Sequence, residues 1–340
     1  MCFQAIIKKI LVLIAIIFFT TVFSFYSFSQ ASSYRFENIT NEQGIADRVI
    51  NAITQDAQGF IWIASIDGLT RYDGYNAVVY RHQTNNAYSI SDNEVYALCT
   101  DGSGYLWIGT RNGLNRYDAQ NDRFEAFLHD STDENSLAAN EIFSLAKDAQ
   151  GDIWIGTYNG GLDKLVKTVA GKGYKKSGYS FLHYRHNERD SNSISNDQVF
   201  SVCADKSGYI WAGTTNGVNI INDHTKEIVR FYNDPENTNS ISYNTVNKIV
   251  AADDGSLWLC GKNMLDNVSF KQGNQGGEIS VKHFLPLLAS DQDKNEWAIN
   301  DFMIDRYHNC WVATNDQGVL KFNKDKNGSI RSIENFISSQ

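Results

Sequence analysis

The apolar positions of this chain recur in blocks of about 46 residues. Each block opens with apolar residues three apart that end on an acid. The copies read Ile50, Ile53, Asp56; Val95, Leu98, Asp101; Ile142, Leu145, Asp148; Val199, Val202, Asp205; and Ile299, Phe302, Asp305. A regular strand alternates every second residue, so this spacing predicts a strand with a bend or bulge near its start. The acid opens a four-residue turn closed by Gly59, Gly104, Gly151 or Gly208, where Asp accepts backbone N–H bonds and Gly supplies a positive φ. A second strand carries a tryptophan and ends in small residues, as in Gly109-Thr110 and Gly156-Thr157. A third follows Gly68, Gly113, Gly161, Gly217 or Gly318, and a looser, aromatic fourth runs through 78–80, 124–127, 181–184 and 228–232. Four short strands per block is the composition of a β-propeller blade.

The tryptophans set the count. Trp62, Trp107, Trp154, Trp211, Trp258 and Trp311 share one position, at spacings of 45, 47, 57, 47 and 53, and Trp297 stands outside it. Six blades are therefore written in 34–340, an all-β chain. Between blades runs a polar crossing with one apolar residue, as in Asn192-Ser193-Ile194-Ser195. That residue pins the crossing, and its polar neighbours satisfy backbone groups. Polar, Gly-rich segments 171–178 and 271–277 read as exposed loops that lengthen the outer hairpins of blades three and five. Residues 34–39 match a fourth strand with no blade of its own. The pattern therefore predicts an incomplete seven-bladed ring with two uncovered apolar faces. A distorted six-bladed ring is the alternative.

Charge and the N-terminus narrow the setting. The net charge of −9 argues against a nucleic-acid-binding surface, which needs a basic face. Lys8 and Lys9 precede an apolar run, 10–28, with small residues at Ser27 and Ser29 before Gln30. Residues 1–30 read as a secretory signal peptide, with an uncleaved anchor as the alternative. Cys99, Cys203, Cys260 and Cys310 fall on neighbouring or distant blades, beyond disulfide reach, and read as buried free thiols. No cysteine and histidine cluster has metal-ligand spacing.

The full repeat, D-x-x-G-x-[IL]-W-[IV]-G-T followed by G-[LV]-x-[RK]-[YF]-[DN], resembles the two-component regulator propeller repeat. The resemblance implies the extracytoplasmic, periplasmic sensor of a hybrid two-component system. In that family two propellers precede a β-sandwich, a membrane helix, a histidine kinase and a receiver. It implies an oligosaccharide ligand released from glycans, no cofactor, and the remaining sensor and kinase domains as partners, with homodimers formed through them. Kinase activity would belong to those other domains, since nothing here matches a phospho-acceptor or ATP-binding box.

Candidate ligand residues are those the repeat does not require, on the face that carries the crossings and the second-to-third-strand loops. They are Arg48, Asp67, Arg111, Tyr158, Asn244 and Trp297. Arginine, amide, acid and aromatic groups on a concave face suit sugar hydroxyls and ring faces. An exported propeller glycosidase or lyase is the first alternative, and a protein-interaction platform the second. Sialidase Asp-boxes place Asp and Gly two apart, whereas here they are three apart except at Asp253-x-Gly255-x-x-Trp258. The acids are spread as turn residues, the histidines are scattered, and no nucleophile–base pair emerges.

Overall fold

The computed structural model describes residues 44–168, 178–262, 264–273, 276–284, 299–314, 318–324 and 330–336. The chain divides into units of 1–39 and 40–340, and all described residues lie in the second. The signal segment, the strand expected at 34–39 and Trp297 lie outside the described residues.

Six antiparallel four-stranded sheets follow one another in a ring, a β-propeller. Blade two shows the pattern: Val95–Thr100, Leu106–Thr110, Gly113–Asp118 and Arg123–Phe127, each paired to the next. The bend expected in the first strand is present. Register shifts fall between Ile50 and Ala52, Val95 and Ala97, Val199 and Ser201, and Ile299 and Asp301, with the same irregularity in blade three. The bulge turns the anchoring apolar residue toward the preceding blade. Gly109 allows this close approach, since a Cβ there would meet Ile142 Cγ2 at 2.6 Å. Of the segment expected as a loop at 271–277, the described residues 271–273 and 276–277 are instead strand. Met264–Gly273 pairs with Gly276–His283 out to Gly273 opposite Gly276, because both flanks keep alternating residues that can ladder.

The tryptophans hold the blades together. Trp62 packs with Val95, Leu106, Ile108 and Tyr117 of blade two, and five such clusters join blades one to six in series. The turn aspartate has a second task beyond the turn. In blade three, Asp148 Oδ1 accepts the N–H groups of Gln150 and Asp152, while Oδ2 accepts Trp154 Nε1–H at 2.9 Å. Blades one, two, four and six repeat this indole bond. Third-strand cations lie over the same rings: Arg71, Arg116, Lys164 and Lys321. In blade five, Ala252 replaces the acid, and Trp258 stacks on Phe302.

No such cluster joins blade six to blade one among the described residues. Ile50 and Ile53 are 37% and 64% exposed, whereas Val95, Ile142 and Val199, equivalent to Ile50, are fully buried. On blade six, Met303 is 54% exposed and Trp311 is half-buried. The two apolar end faces expected from the repeat count are thus uncovered on these residues.

The crossings are pinned as expected: Ile90, Leu137, Ile194 and Ile241 are fully buried. Each crossing also docks on a third-strand side chain of the following blade. Ser91 N–H donates to Asn115, Ala138 to Asp163, Ser195 to Asn219 and Ser242 to Asp266. Where that residue is a buried aspartate, a histidine on the fourth strand faces it. His183 Nδ1 lies 2.7 Å from Asp163 and its Nε2 2.8 Å from the Glu134 carbonyl; His283 sits likewise between Asp266 and the Thr238 carbonyl. A carboxyl group at one ring nitrogen and a carbonyl at the other favour the imidazolium, although burial also raises Asp163. His183 is raised above the ordinary histidine range by Asp163, and the Asp266 and Thr238 bonds raise His283 against the opposing effect of burial.

The other histidines correct the expectation of scatter. His82, His129 and His186 occupy one repeat position, each with Nδ1 on the carbonyl of the buried crossing residue. They belong to the scaffold. Cys99, Cys203 and Cys260 are free thiols.

Candidate functional site: the channel wall

Beside the bulge, the first strands of blades one to four and six each contribute one side chain to the central channel, and in blade five Asn247, just before Lys248–Ala251, takes the same place. The register makes these positions equivalent: Asn51, Tyr96, Phe143, Phe200, Asn247 and Asn300. All six line a cavity of about 470 Å³, within the usual size of small-ligand sites. The ring is divided. Blades two to four supply aromatic groups, and blades five, six and one supply amides.

The aromatic half is a continuous wall. Tyr96 stacks on Phe143 at 5.1 Å between centroids, and Phe143 meets Phe200 edge to face at 5.5 Å. Tyr158, from the hairpin loop of blade three, closes on Phe143 at 5.6 Å. At the other end Tyr96 O–H donates to Glu94 at 2.7 Å, and Arg111 Nη1 donates to the same carboxylate at 3.0 Å. The Tyr96 hydroxyl, with Arg111, holds Glu94 below the usual glutamate range. Burial and Glu94 push the Tyr96 phenol up, so it remains a hydrogen-bond donor. On the amide half, Asn51 Nδ2 donates to the Val95 carbonyl, and Lys248 Nζ pairs with Asp301 at 2.6 Å. The wall therefore offers apolar ring faces opposite neutral donors and acceptors.

Two of the residues expected from sequence, Arg111 and Tyr158, meet here through Glu94, Tyr96 and Phe143. Asn244 is engaged elsewhere: its Oδ1 accepts Asn233 N–H at the end of the fourth strand. Asn93, Asn140 and Asp197 do the same for their blades. Asp67 binds Arg81 of its own blade at 3.0 Å. Arg48 is exposed on the turn before blade one. The sequence did carry a signal for the missed ring. Six equivalent positions, each directly after an apolar anchor or offset by the bulge, hold three aromatics in succession and three asparagines.

Larger hollows of about 920 and 740 Å³ lie on the outer rim, over the crossing 129–138 and beside Arg123–Phe127. The wall of the first is mostly turn residues bonded to one another, as in Thr132 to Asp130 and Ser136 Oγ to the Asp130 carbonyl, whereas the second is lined mainly by strand residues such as Arg116, Phe124, Glu125 and Phe181. All four crossings among the described residues build the same turn, with Ser89, Ser193 and Ser240 in the place of Ser136. The first rim hollow is a by-product of this repeated turn, whereas the channel wall differs from blade to blade.

Among the described residues, no group of three or more His, Cys, Asp or Glu side chains is placed to hold a metal ion. No curated protein matches the sequence. Similar solved structures share the fold. One is the extracellular domain assigned to hybrid two component system BT3049 of B. thetaiotaomicron, 22% identical with a TM-score of 0.67, covering 86% of this chain and 36% of that one. The chain thus spans about a third of that relative's length. PorZ, a surface component of the type-IX secretion system of Porphyromonas gingivalis, is 15% identical with a TM-score of 0.56, over 84% of this chain and 45% of that one. Virginiamycin B lyase of Staphylococcus aureus is 15% identical with a TM-score of 0.54, over 86% and 85%. The family model of the two component regulator propeller matches residues 44–67, 89–112, 136–159 and 193–216, which are the end of one crossing or its equivalent, the first strand, the turn and the tryptophan strand. Four segments of the chain, one in each of blades one to four, thus match the two-component regulator propeller repeat.

Proposed function

We propose that this propeller is the extracytoplasmic sensor of a hybrid two-component system and that it binds a glycan-derived oligosaccharide in its channel. The observation that carries the ligand class is the divided ring. Pyranose rings present C–H faces to aromatic groups and hydroxyls to amides, and this wall supplies both within one cavity. Arg111 and Tyr158 extend the contact onto the rim, and Arg48 and Trp297, the latter outside the described residues, are further candidates by their repeat positions. The repeat family, the extracellular relative and the basic, apolar leader 8–28 support export to the periplasm through a signal peptide. Signal output rests on partner domains, a kinase among them, with dimers formed through those domains.

Calorimetric titration of the purified chain against a panel of plant and microbial oligosaccharides tests this. Saturable binding is expected, weakened at least about tenfold in Phe143→Ala, a loss of about 1.4 kcal/mol. Products are examined in the same samples. Turnover of the sugar would replace the sensor reading with the glycosidase or lyase reading, and no binding across the panel would overturn the ligand class.

A further inference from the structure

The charges around the channel carry a further step, which rests on the oligosaccharide reading. Two cations stand at the channel, Lys248 in its wall and Arg111 at its rim beside Glu94 and Tyr96, and each is already matched to a carboxylate. Arg111 is bound by Glu94 at 3.0 Å, and Lys248 by Asp301 at 2.6 Å. Glu141, two residues before Phe143 in the chain, is a third carboxylate whose charge acts on Tyr96. The remaining groups on the ring are aromatic or amide. Among the described residues that line the cavity, the one cation is Lys248, so an entering carboxylate or sulfate would meet there only a cation already paired with Asp301. Losing its hydration shell there would go uncompensated. The net charge of −9 on the chain adds repulsion at longer range. Hydroxyl groups suffer none of this, because amides and a phenol can both donate to and accept from them.

We infer that the channel selects neutral oligosaccharides and rejects uronate- or sulfate-bearing ones, with Glu94 and Asp301 as the specificity-determining residues. They act by neutralising Arg111 and Lys248. Breaking either pair frees a cation at the channel and should admit an anionic sugar.

The experiment is calorimetry on the purified protein with two sets of probes. The neutral set is xylohexaose, mannohexaose, maltohexaose and arabinohexaose. The anionic set is hexagalacturonate and heparin hexasaccharide. Binding is expected within the neutral set, with affinity unchanged between about 0.05 and 0.5 M salt. Neither anionic probe should bind the wild-type protein. Asp301→Asn and Glu94→Gln, on opposite sides of the channel, are each expected to gain anionic binding by about tenfold or more, in a salt-sensitive manner. Thermal midpoints near wild type show that both variants fold. An anionic probe that binds the wild-type protein and weakens as salt rises would overturn the inference while leaving the oligosaccharide reading in place. A neutral probe that binds while both variants still reject the anions would assign the selectivity elsewhere and also overturn it. Failure of every probe would remove the oligosaccharide reading itself.

Discussion

Two rings of side chains run around this propeller, and the six copies treat them differently. The outer ring is tryptophan in every blade, tied to the turn aspartate in five and buried against the following blade in five. The inner ring, at the channel, is aromatic in three consecutive blades and amide in the other three. A position that must do the same packing in each copy keeps one residue. A position released from packing is free to differ, and there the differences collect on opposite sides of one cavity. The first ring accounts for why the chain folds, and the second for what it can recognise.

The largest effect is expected from the outer ring. Trp154→Ala removes a fully buried wedge between blades three and four and should cost about 3–5 kcal/mol in a denaturant titration. Trp311→Ala removes the same residue from blade six, where it is half-buried and stacked on Phe336 of its own sheet. Its cost should be about 1–2 kcal/mol, in line with the smaller area withdrawn from water. Equal costs would break the argument that burial against a following blade makes the wedge.

Next comes the carboxylate beneath the wedge. Asp148→Ala strands two turn N–H groups and the Trp154 indole, at about 2–3 kcal/mol. Asp148→Asn should fall between, since an amide oxygen still accepts. Urea midpoints for the two variants read the difference.

The crossing anchors give a smaller, pH-dependent effect. His183 and His283 are raised above the ordinary imidazole value by their aspartate and carbonyl partners. Their contribution is therefore complete below about pH 6.5 and is lost as pH rises through the raised folded values. Stability should decline by about 1 kcal/mol or more across that alkaline window. Combining Asp163→Asn with His183→Gln, which makes blade three resemble the neutral anchors Asn115 and Asn219, should flatten part of the slope. An unchanged slope would remove His183 from the account.

The smallest stability change is expected from the inner ring. Phe143→Ala and Asn300→Ala alter half-exposed or exposed side chains at the channel and should each cost about 1 kcal/mol or less. The contrast with Trp154 is the point: large in stability for one ring, large in binding for the other.

The fold was legible in the sequence because its demands repeat. Apolar residues three apart announced the bulge, and the Asp-to-Gly spacing announced the turn. Six tryptophans at one position announced the blades. The indole bond to the aspartate was not legible, since it joins residues six apart across a turn whose geometry must be known first. The site was half legible. Arg111 and Tyr158 stand out because a hairpin loop does not need them. Tyr96, Phe143 and Phe200 do not stand out, because an aromatic residue in a strand is ordinary. Only the bulge directs them at the axis. Asn244 and Asp67 looked equally available, but each bonds within the scaffold of its own repeat.

The most direct test of the central claim is hydrogen exchange on the protein with and without a bound neutral oligosaccharide. The account predicts added protection in the first strands around 94–98, 141–145 and 198–202 and around 247–249 and 299–301. It predicts no change at the rim crossings, 129–138 among them. Protection at the rim with none at the first strands would place recognition outside the channel and contradict the account.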